Sequence, residues 1–392
     1  MLHANELPEP SESALVVSNE LRDYIRRALA KHGHIGFDDY MQMALYKTGL
    51  GYYQAGAVKL GIEGDFITAP ELSPMFGSCI ARQCSEILEN TGGRIFEFGA
   101  GSGLLATRIL ADLEKIGGLP ESYEILELSP LMRERQRQTL AQYVPTLLNR
   151  VKWLSQLPQA PLDGVILANE ILDALPLKCF KTIAGKIYER RVHLVGNEFS
   201  WLDAPADPLL SKQVRRVVSR NIINHSSEYV SEINIGVQPW IIDMSRMMRD
   251  AVALIIDYGY PRHEYYHPQR SNGTLQCYFR HRKHTDPFRY PGLQDITASV
   301  DFTNVAEAVD ICDLQILGFS EQANFLLATG LLDEAEQRSS TVNDVGRLRI
   351  AHEIKVLTLP TEMGASFKVL AVGKGYNLAL SGFKLRDDRR RL

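Results

Sequence analysis

The stretch RIFEFGAGSGLLATRIL, residues 94–110, decides how the fold is read. Arg94–Phe98 is a short run of bulky, strand-forming residues. Gly99, Gly101 and Gly103 break it, and a helical pattern runs from about Gly103 to Ile116. Gly99 permits a tight turn, and Gly101 and Gly103 let a ligand lie against bare backbone. The free N–H groups at the helix start attract an anion, whether phosphate or carboxylate. A dinucleotide fingerprint would need a third glycine at 104, where this chain has Leu104. The pattern is therefore G-x-G-x-G. On this motif alone, a turn that merely joins strand to helix fits equally well.

Working outward, a second strand-like run, Tyr123–Leu128, contains Glu127, 24 residues beyond Gly103. A carboxylate there can accept both ribose hydroxyls of an adenosine. Two more short strands follow, Val151–Leu154 and Gly164–Ala168, with a helix from Pro130 between strands. The last strand leads into Asn169-Glu170-Ile171-Leu172-Asp173-Ala174-Leu175-Pro176. Doubly wound sheets bind ligands outside the carboxyl ends of their strands, where Asn169 and Glu170 fall. If a helical turn follows, Glu170 and Asp173 share one face. An N-capping Asn with acids in the first turn is the structural alternative.

Strand-helix alternation implies an α/β fold, a parallel sheet with helices on both faces. Ahead of it, residues 1–13 read as disordered. A helix is expected from Ser18 to Gly33, a short one after Asp38, and another over Ser73–Asn90 capped by Ser73 with Pro74 in its first turn. Residues 177–202 read as antiparallel hairpins around Ala184-Gly185-Lys186 and Gly196-Asn197. Ala251–Asp257 returns to a buried strand, and Gly259–Pro291 reads as a long loop. Helical patterns resume at Asn304–Leu314 and Glu321–Ala328, Phe367–Val372 is a late strand, and Arg386–Arg391 reads as a frayed tail. The domain organisation expected is an N-terminal helical cap and lid loop over 1–90, a core over 91–176 and 251–375, a β-rich and helical insertion over 177–250, and a tail over 376–392.

Lys plus Arg is 43 and Asp plus Glu is 47, a formal charge of −4 that argues against a dedicated nucleic-acid binder. The five cysteines form no C-x-x-C pair and fit no zinc site, which points to unpaired thiols in a reducing, cytoplasmic setting. The N-terminus lacks the basic and apolar regions of a secretory signal. The longest apolar stretch, Ala251–Ile256, is far short of a membrane span, so no membrane insertion is expected. The basic run Arg280–His284 reads as a solvated loop, and His281 and His284 lack the carboxylate or third ligand of a metal site.

The G-x-G-x-G turn is similar to the first motif of class I S-adenosylmethionine (SAM) methyltransferases. Over residues 33–373 the chain resembles the MidA-like methyltransferase family. The blocks that carry the resemblance are Ile35-x-Phe37-x-x-Tyr40-Met41, Gly51-Tyr52-Tyr53, Gly64-Asp65-Phe66-Ile67-Thr68-Ala69-Pro70-Glu71, the Gly99–Gly103 turn and Glu127. They continue with Asn169–Pro176, Ile256-Asp257-Tyr258-Gly259-Tyr260 and Asp295-x-Thr297-x-x-Val300-Asp301-Phe302. Ala365-Ser366 stand where family members often carry Gly-Glu.

The resemblance implies a class I, Rossmann-like methyltransferase fold, SAM as donor, and arginine on a protein as acceptor. The family's mitochondrial members methylate arginine as complex I assembly factors, so a respiratory complex subunit is one implied partner. The expected cofactor residues are Glu97, Gly99, Gly101, Gly103, Glu127 and Asn169. Glu170 is the first candidate to grip a guanidinium and Asp173 the second, since carboxylates hold that group bidentately. Asp65, Thr68 and Glu71 would belong to a lid or acceptor loop, although Asp, Thr and Pro also simply build turns. Asp257 and Tyr258 would wall the acceptor pocket, or mark a strand end with a packed Tyr. The N-terminal region and the insertion are expected to build the acceptor cleft, and no metal is required. A small-molecule or nucleic-acid methyltransferase, and an assembly chaperone with a structural SAM pocket, remain alternatives.

Overall fold

The computed structural model describes residues 7–54 and 68–392. The chain divides into two compact units. One comprises Met1–Phe66, Asp173–Val237 and Arg262–Asp301; the other comprises Ile67–Leu172, Gln238–Pro261 and Phe302–Leu392.

The second unit is built on seven strands: β1 Arg94–Phe98, β2 Tyr123–Leu126, β3 Val151–Leu154, β4 Leu162–Asn169, β5 Met248–Tyr260, β6 Gln315–Glu321 and β7 Phe367–Lys374. Their order is β6-β7-β5-β4-β1-β2-β3. The five strands from β5 to β3 pair in parallel, and β7 runs antiparallel to both β5 and β6. This is the class I methyltransferase arrangement, with the reversal of strand order between β1 and β4.

Side-chain alternation sends Ile95, Val165, Leu167, Val252 and Leu254 into one core, packed with Phe76, Cys79 and Ile80 of helix Pro74–Thr91 and with Ile109 and Leu110 of helix Leu104–Lys115. Phe98 faces the other way and meets Trp240 of helix Val237–Met247 at 4.9 Å between ring centroids. Phe302 of helix Phe302–Ile311 meets Phe319 at 5.2 Å.

The first unit holds helices Glu12–His32 and Phe37–Tyr46 and an antiparallel sheet of His34–Ile35, Lys178–Ile183, Lys186–Val195, Glu198–Pro205 and Tyr229–Ile233. Its apolar core gathers Leu21, Ile25, Phe37, Tyr40, Val192 and Cys277. The hairpins anticipated at Gly185 and Gly196 are present.

Several expectations need correction. Helix formation begins at Glu12, not Ser18, because Ser11 caps it through the Ala14 N–H at 3.3 Å. Gly259–Pro291 is not a loop throughout, since Gln276–Phe279 and Arg282–His284 form a hairpin and Asp295–Thr297 pairs on its other edge. The hairpin turns on Arg280 and His281, both left-handed (φ +47° and +60°), so a basic pair that reads as solvated loop is a two-residue turn. β6 and the helices Leu331–Ser339 and Asp344–Thr358 were not anticipated. The C-terminal run is docked, not frayed. The Asp388 N–H donates to Phe319 O at 2.6 Å, and Arg389 donates to Ile316 O at 3.0 Å and to Asp387 at 2.7 Å. The unit boundaries also fall elsewhere: helix Pro74–Thr91 lies in the sheet unit, and Arg262–Asp301 lies in the other unit instead of the core.

Gly164 opens the pairing of β4 with β1 at φ +116°, and a Cβ there would stand 2.2 Å from Arg94 O. The strand can approach only because glycine has no Cβ. Gly164→Ala is expected to destabilise the sheet unit by about 2–4 kcal/mol, read as a lower melting temperature in scanning calorimetry. A wild-type melting curve would contradict this account.

Candidate functional site

The parallel pairing brings the carboxyl ends of β1, β2, β4 and β5 to one edge. Phe98 registers with both Leu126 and Ala168, and Asn169 registers with Ile256. Gly99, Glu127, Asn169, Glu170, Asp257 and Tyr258 therefore fall along the same edge, at the switch point where such sheets take ligands.

The glycine turn is left-handed at all three glycines, with φ of +56°, +52° and +89° at Gly99, Gly101 and Gly103. The Gly99 N–H donates to Leu126 O at 3.0 Å, which ties the turn to β2. Gly103 caps helix Leu104–Lys115, and a Cβ there would meet Gln136 Cα at 3.2 Å. Its bareness thus serves helix packing as well as the turn. Ser102 Oγ donates to Glu71, which sits on the short helix Ala69–Leu72 with Thr68 as its N-cap residue. Glu71, expected on a lid, in fact holds the glycine turn. Asp65 lies outside the described residues.

Glu127 follows β2. Its Oε1 accepts the Ser129 N–H at 2.9 Å and its Oε2 accepts Gln136 Nε2 at 3.0 Å. The same Nε2 donates to Gly101 O at 3.0 Å, and Gln136 Oε1 accepts from Trp153 Nε1 at 2.9 Å. Burial pushes the Glu127 pKa up, against the hydrogen bonds from Ser129 and Gln136. Nothing in the sequence marks Gln136 or Trp153, because their role arises from a helix and a strand end meeting in space.

Glu97 differs from Glu127. It is 2% exposed and accepts from Tyr123 Oη at 2.8 Å. Burial raises its pKa to about 7, while the Tyr123 hydrogen bond opposes the rise. It lies beneath the turn, inside the core.

At the end of β4, Glu170 has φ +54°, an unusual conformation for a non-glycine residue. Two contacts from β5 fix this bend. The Glu170 N–H donates to Ile256 O at 2.8 Å, and the Leu172 N–H donates to Asp257 Oδ2 at 2.9 Å. Asp257 is fully buried and also accepts the Tyr258 N–H at 2.9 Å. Asp257 therefore shapes the loop that carries Glu170. Tyr258 packs edge-on against Phe367 at 5.4 Å.

Asn169 Nδ2 donates to Glu170 Oε1 at 3.2 Å, whereas Asn169 Oδ1 is buried with no hydrogen-bond partner among the described residues. A buried orphan acceptor at a strand end suits a ligand that brings an N–H donor. No helical turn follows Asn169, so Glu170 and Asp173 do not share a helix face. Asp173 belongs to the other unit, where its backbone oxygen accepts the Ala298 N–H at 3.1 Å. Among the described residues no group of three or more His, Cys, Asp or Glu could hold a metal ion, and no helix is long and apolar enough to cross a membrane.

A bare glycine turn, a carboxylate one strand over and an acidic strand end at the switch point define a nucleoside-cofactor transferase of the class I methyltransferase type. The match to a family model described as "Putative S-adenosyl-L-methionine-dependent methyltransferase" covers residues 79–320, and the chain belongs to that family. It is similar to a Burkholderia thailandensis protein described as a "likely methyl transferase", whose crystal structure has S-adenosyl-homocysteine bound. The identity is 37%, the coverage 99% of this chain and 100% of that one, and the TM-score 0.92. It is also 27% identical to the Drosophila melanogaster protein named protein arginine methyltransferase NDUFAF7 homolog, mitochondrial, over 94% of this chain and 88% of that one. The Bos taurus protein arginine methyltransferase NDUFAF7, mitochondrial, is 27% identical over 93% and 85%. These names correct the expectation of a cytoplasmic setting, because the curated relatives are named mitochondrial.

Glu97 supplies a pH test. Its carboxyl is protonated more readily in the folded chain, with a pKa of about 7 against an ordinary 4.5. Between those values the folded state binds more protons than the unfolded one, so this group makes stability fall as pH rises to about 7. Glu97→Gln keeps an acceptor for Tyr123 and cannot ionise. Relative to wild type it is expected to gain stability by up to roughly 3 kcal/mol from pH 5 to pH 8 in thermal denaturation. A constant difference across that range would refute the assignment.

Proposed function

We propose that this chain transfers a methyl group from SAM to an arginine side chain of a client protein. The observation that carries the reading is the bare turn at 99–103 joined through Gln136 to Glu127, with the strained, acidic Glu170 on the same sheet edge. When bound, SAM supplies a methyl group on a sulfonium, and the S–C electron pair returns to sulfur as the methyl moves to nitrogen.

In this reading the turn and the positive end of helix Leu104–Lys115 receive the methionine carboxylate. Glu127, whose oxygens accept the Ser129 N–H and the Gln136 amide, keeps acceptor capacity for ribose hydroxyls. Asn169 Oδ1 offers its open acceptor to an N–H of donor or acceptor.

Arginine stays protonated and is a poor nucleophile. The Glu170 carboxylate orients one guanidinium nitrogen, offsets the positive charge and takes up the N–H proton released as the N–CH3 bond forms, passing it on to water. Asp257 contributes through the loop: by accepting the Leu172 N–H it holds Glu170 in place. Glu71 supports the turn from the preceding helix by accepting from Ser102, Thr68 starts that helix as its N-cap residue, and Tyr258 walls the pocket for the acceptor.

The acceptor class is taken from relatives named protein arginine methyltransferase, and a respiratory complex subunit is the client that the family resemblance implies. Labelled SAM incubated with lysate, followed by mass spectrometry, tests the class, and methylated arginine is the expected product. Glu170→Gln keeps size and loses charge. It should bind S-adenosylhomocysteine within about threefold of wild type, while methyl transfer falls by about 10²-fold or more. Transfer at the wild-type rate would remove Glu170 from the mechanism.

A further inference from the structure

The sequence motifs account for the glycine turn and for Glu127 but not for what holds them in register. Gln136 is fully buried within helix Pro130–Tyr143, a helix with little other buried surface. Its amide makes three hydrogen bonds: Nε2 to Gly101 O at 3.0 Å, Nε2 to Glu127 Oε2 at 3.0 Å, and Oε1 from Trp153 Nε1 at 2.9 Å. Both N–H bonds of the amide are thus committed. The Trp153 N–H fixes which way round the amide sits, because a flipped amide would turn its oxygen on Glu127 and its NH₂ on an indole donor. Trp153 is itself covered by the Arg137 guanidinium at 4.5 Å. The absence of a Cβ at Gly103 lets the Gln136 backbone come this close.

We infer that Gln136 is a positioning residue for cofactor binding: one amide, oriented by Trp153, sets the Gly101 carbonyl and the Glu127 carboxylate at a fixed separation so that turn and ribose grip act as a unit. This rests on the reading of 99–103 and Glu127 as a nucleoside site. No other natural side chain of this length offers two donors and one acceptor in a plane. Glu at 136 would place a second carboxylate against Glu127, and Met would fill the space without any donor.

The test uses the full chain as wild type, Gln136→Met, Gln136→Glu and Trp153→Phe. Binding of S-adenosylhomocysteine and of its 2′-deoxy analogue is measured by titration calorimetry, with melting temperature and methyl transfer alongside. Wild type should prefer the hydroxylated ligand. Q136M should weaken S-adenosylhomocysteine by about tenfold or more and shrink that preference, raising KM for SAM while kcat at saturation stays within about threefold. Q136E should lose more, and W153F about threefold, since it only frees the amide to flip.

Q136M with a lowered melting temperature but an unchanged dissociation constant and an unchanged 2′-hydroxyl preference would overturn the inference and leave Gln136 a packing residue. Should Q136M fail to fold, W153F carries the same comparison, and an unchanged hydroxyl preference in W153F overturns it. Folded wild-type protein that binds neither ligand removes the nucleoside reading itself, an outcome distinct from a wild type that binds and a Q136M that binds equally well.

Discussion

The side-by-side pairing of β1 with β4 is the constraint on which the site depends. In parallel strands, carboxyl ends align only when register is fixed, and Phe98 opposite Ala168 fixes it here. From that point the chain leaves in two directions, as a glycine turn into a helix from β1 and as the Asn169–Leu172 bend from β4. The gap between them is the crevice of a doubly wound sheet. Gly164 is the residue that allows the approach, since any side chain there would strike the β1 backbone. The apolar core on both faces stabilises this sheet but does not select its register. The close approach at Gly164 and the turn bonded to Leu126 do.

The bend after β4 carries backbone strain at Glu170. A non-glycine residue in the left-handed region costs on the order of 1–3 kcal/mol, and it persists when its surroundings leave no alternative. At Glu170 the surroundings are the end of β5: a carbonyl takes its N–H, and the buried Asp257 takes the N–H two residues on. Asp257 cannot leave its post cheaply, because two backbone donors would then be buried without an acceptor. A sheet strand thereby aims a carboxylate that belongs to its neighbour.

Much of the sheet unit was legible in the sequence because its signals are local. The glycine turn announces itself by spacing, Ser73 and Pro74 mark a helix start, and β1 to β5 read as short apolar runs. What escaped is non-local or chemically atypical. The Arg280-His281 turn has left-handed residues without glycine or asparagine, so no turn residue flags it. β6 lies between two helical patterns, and its pairing with β7 is visible only in space. The tail reads as charged and loose, yet a backbone N–H and an arginine anchor it to β6. Glu170 and Asp173 looked like partners on a helix that never forms, because the chain bends where the β5 end captures it.

Two glutamates on neighbouring strands, one within β1 and one just after β2, show what separates a structural carboxylate from one able to serve a ligand. Glu97 and Glu127 are both raised in pKa by burial, so titration alone does not distinguish them. Their partners do. Glu97 is sealed in the core against Tyr123, whose phenol is itself enclosed, and burial favours its neutral form. Glu127 is only half-buried and receives a backbone N–H and an amide N–H, donors that favour the charged form and leave acceptor capacity on each oxygen. The same amide reaches the glycine turn, so whatever occupies the space beside Gly101 also meets a carboxylate already held in position. The motif residues supply a bare backbone and a charge, and an unremarked glutamine on an otherwise polar helix turns the two into one surface.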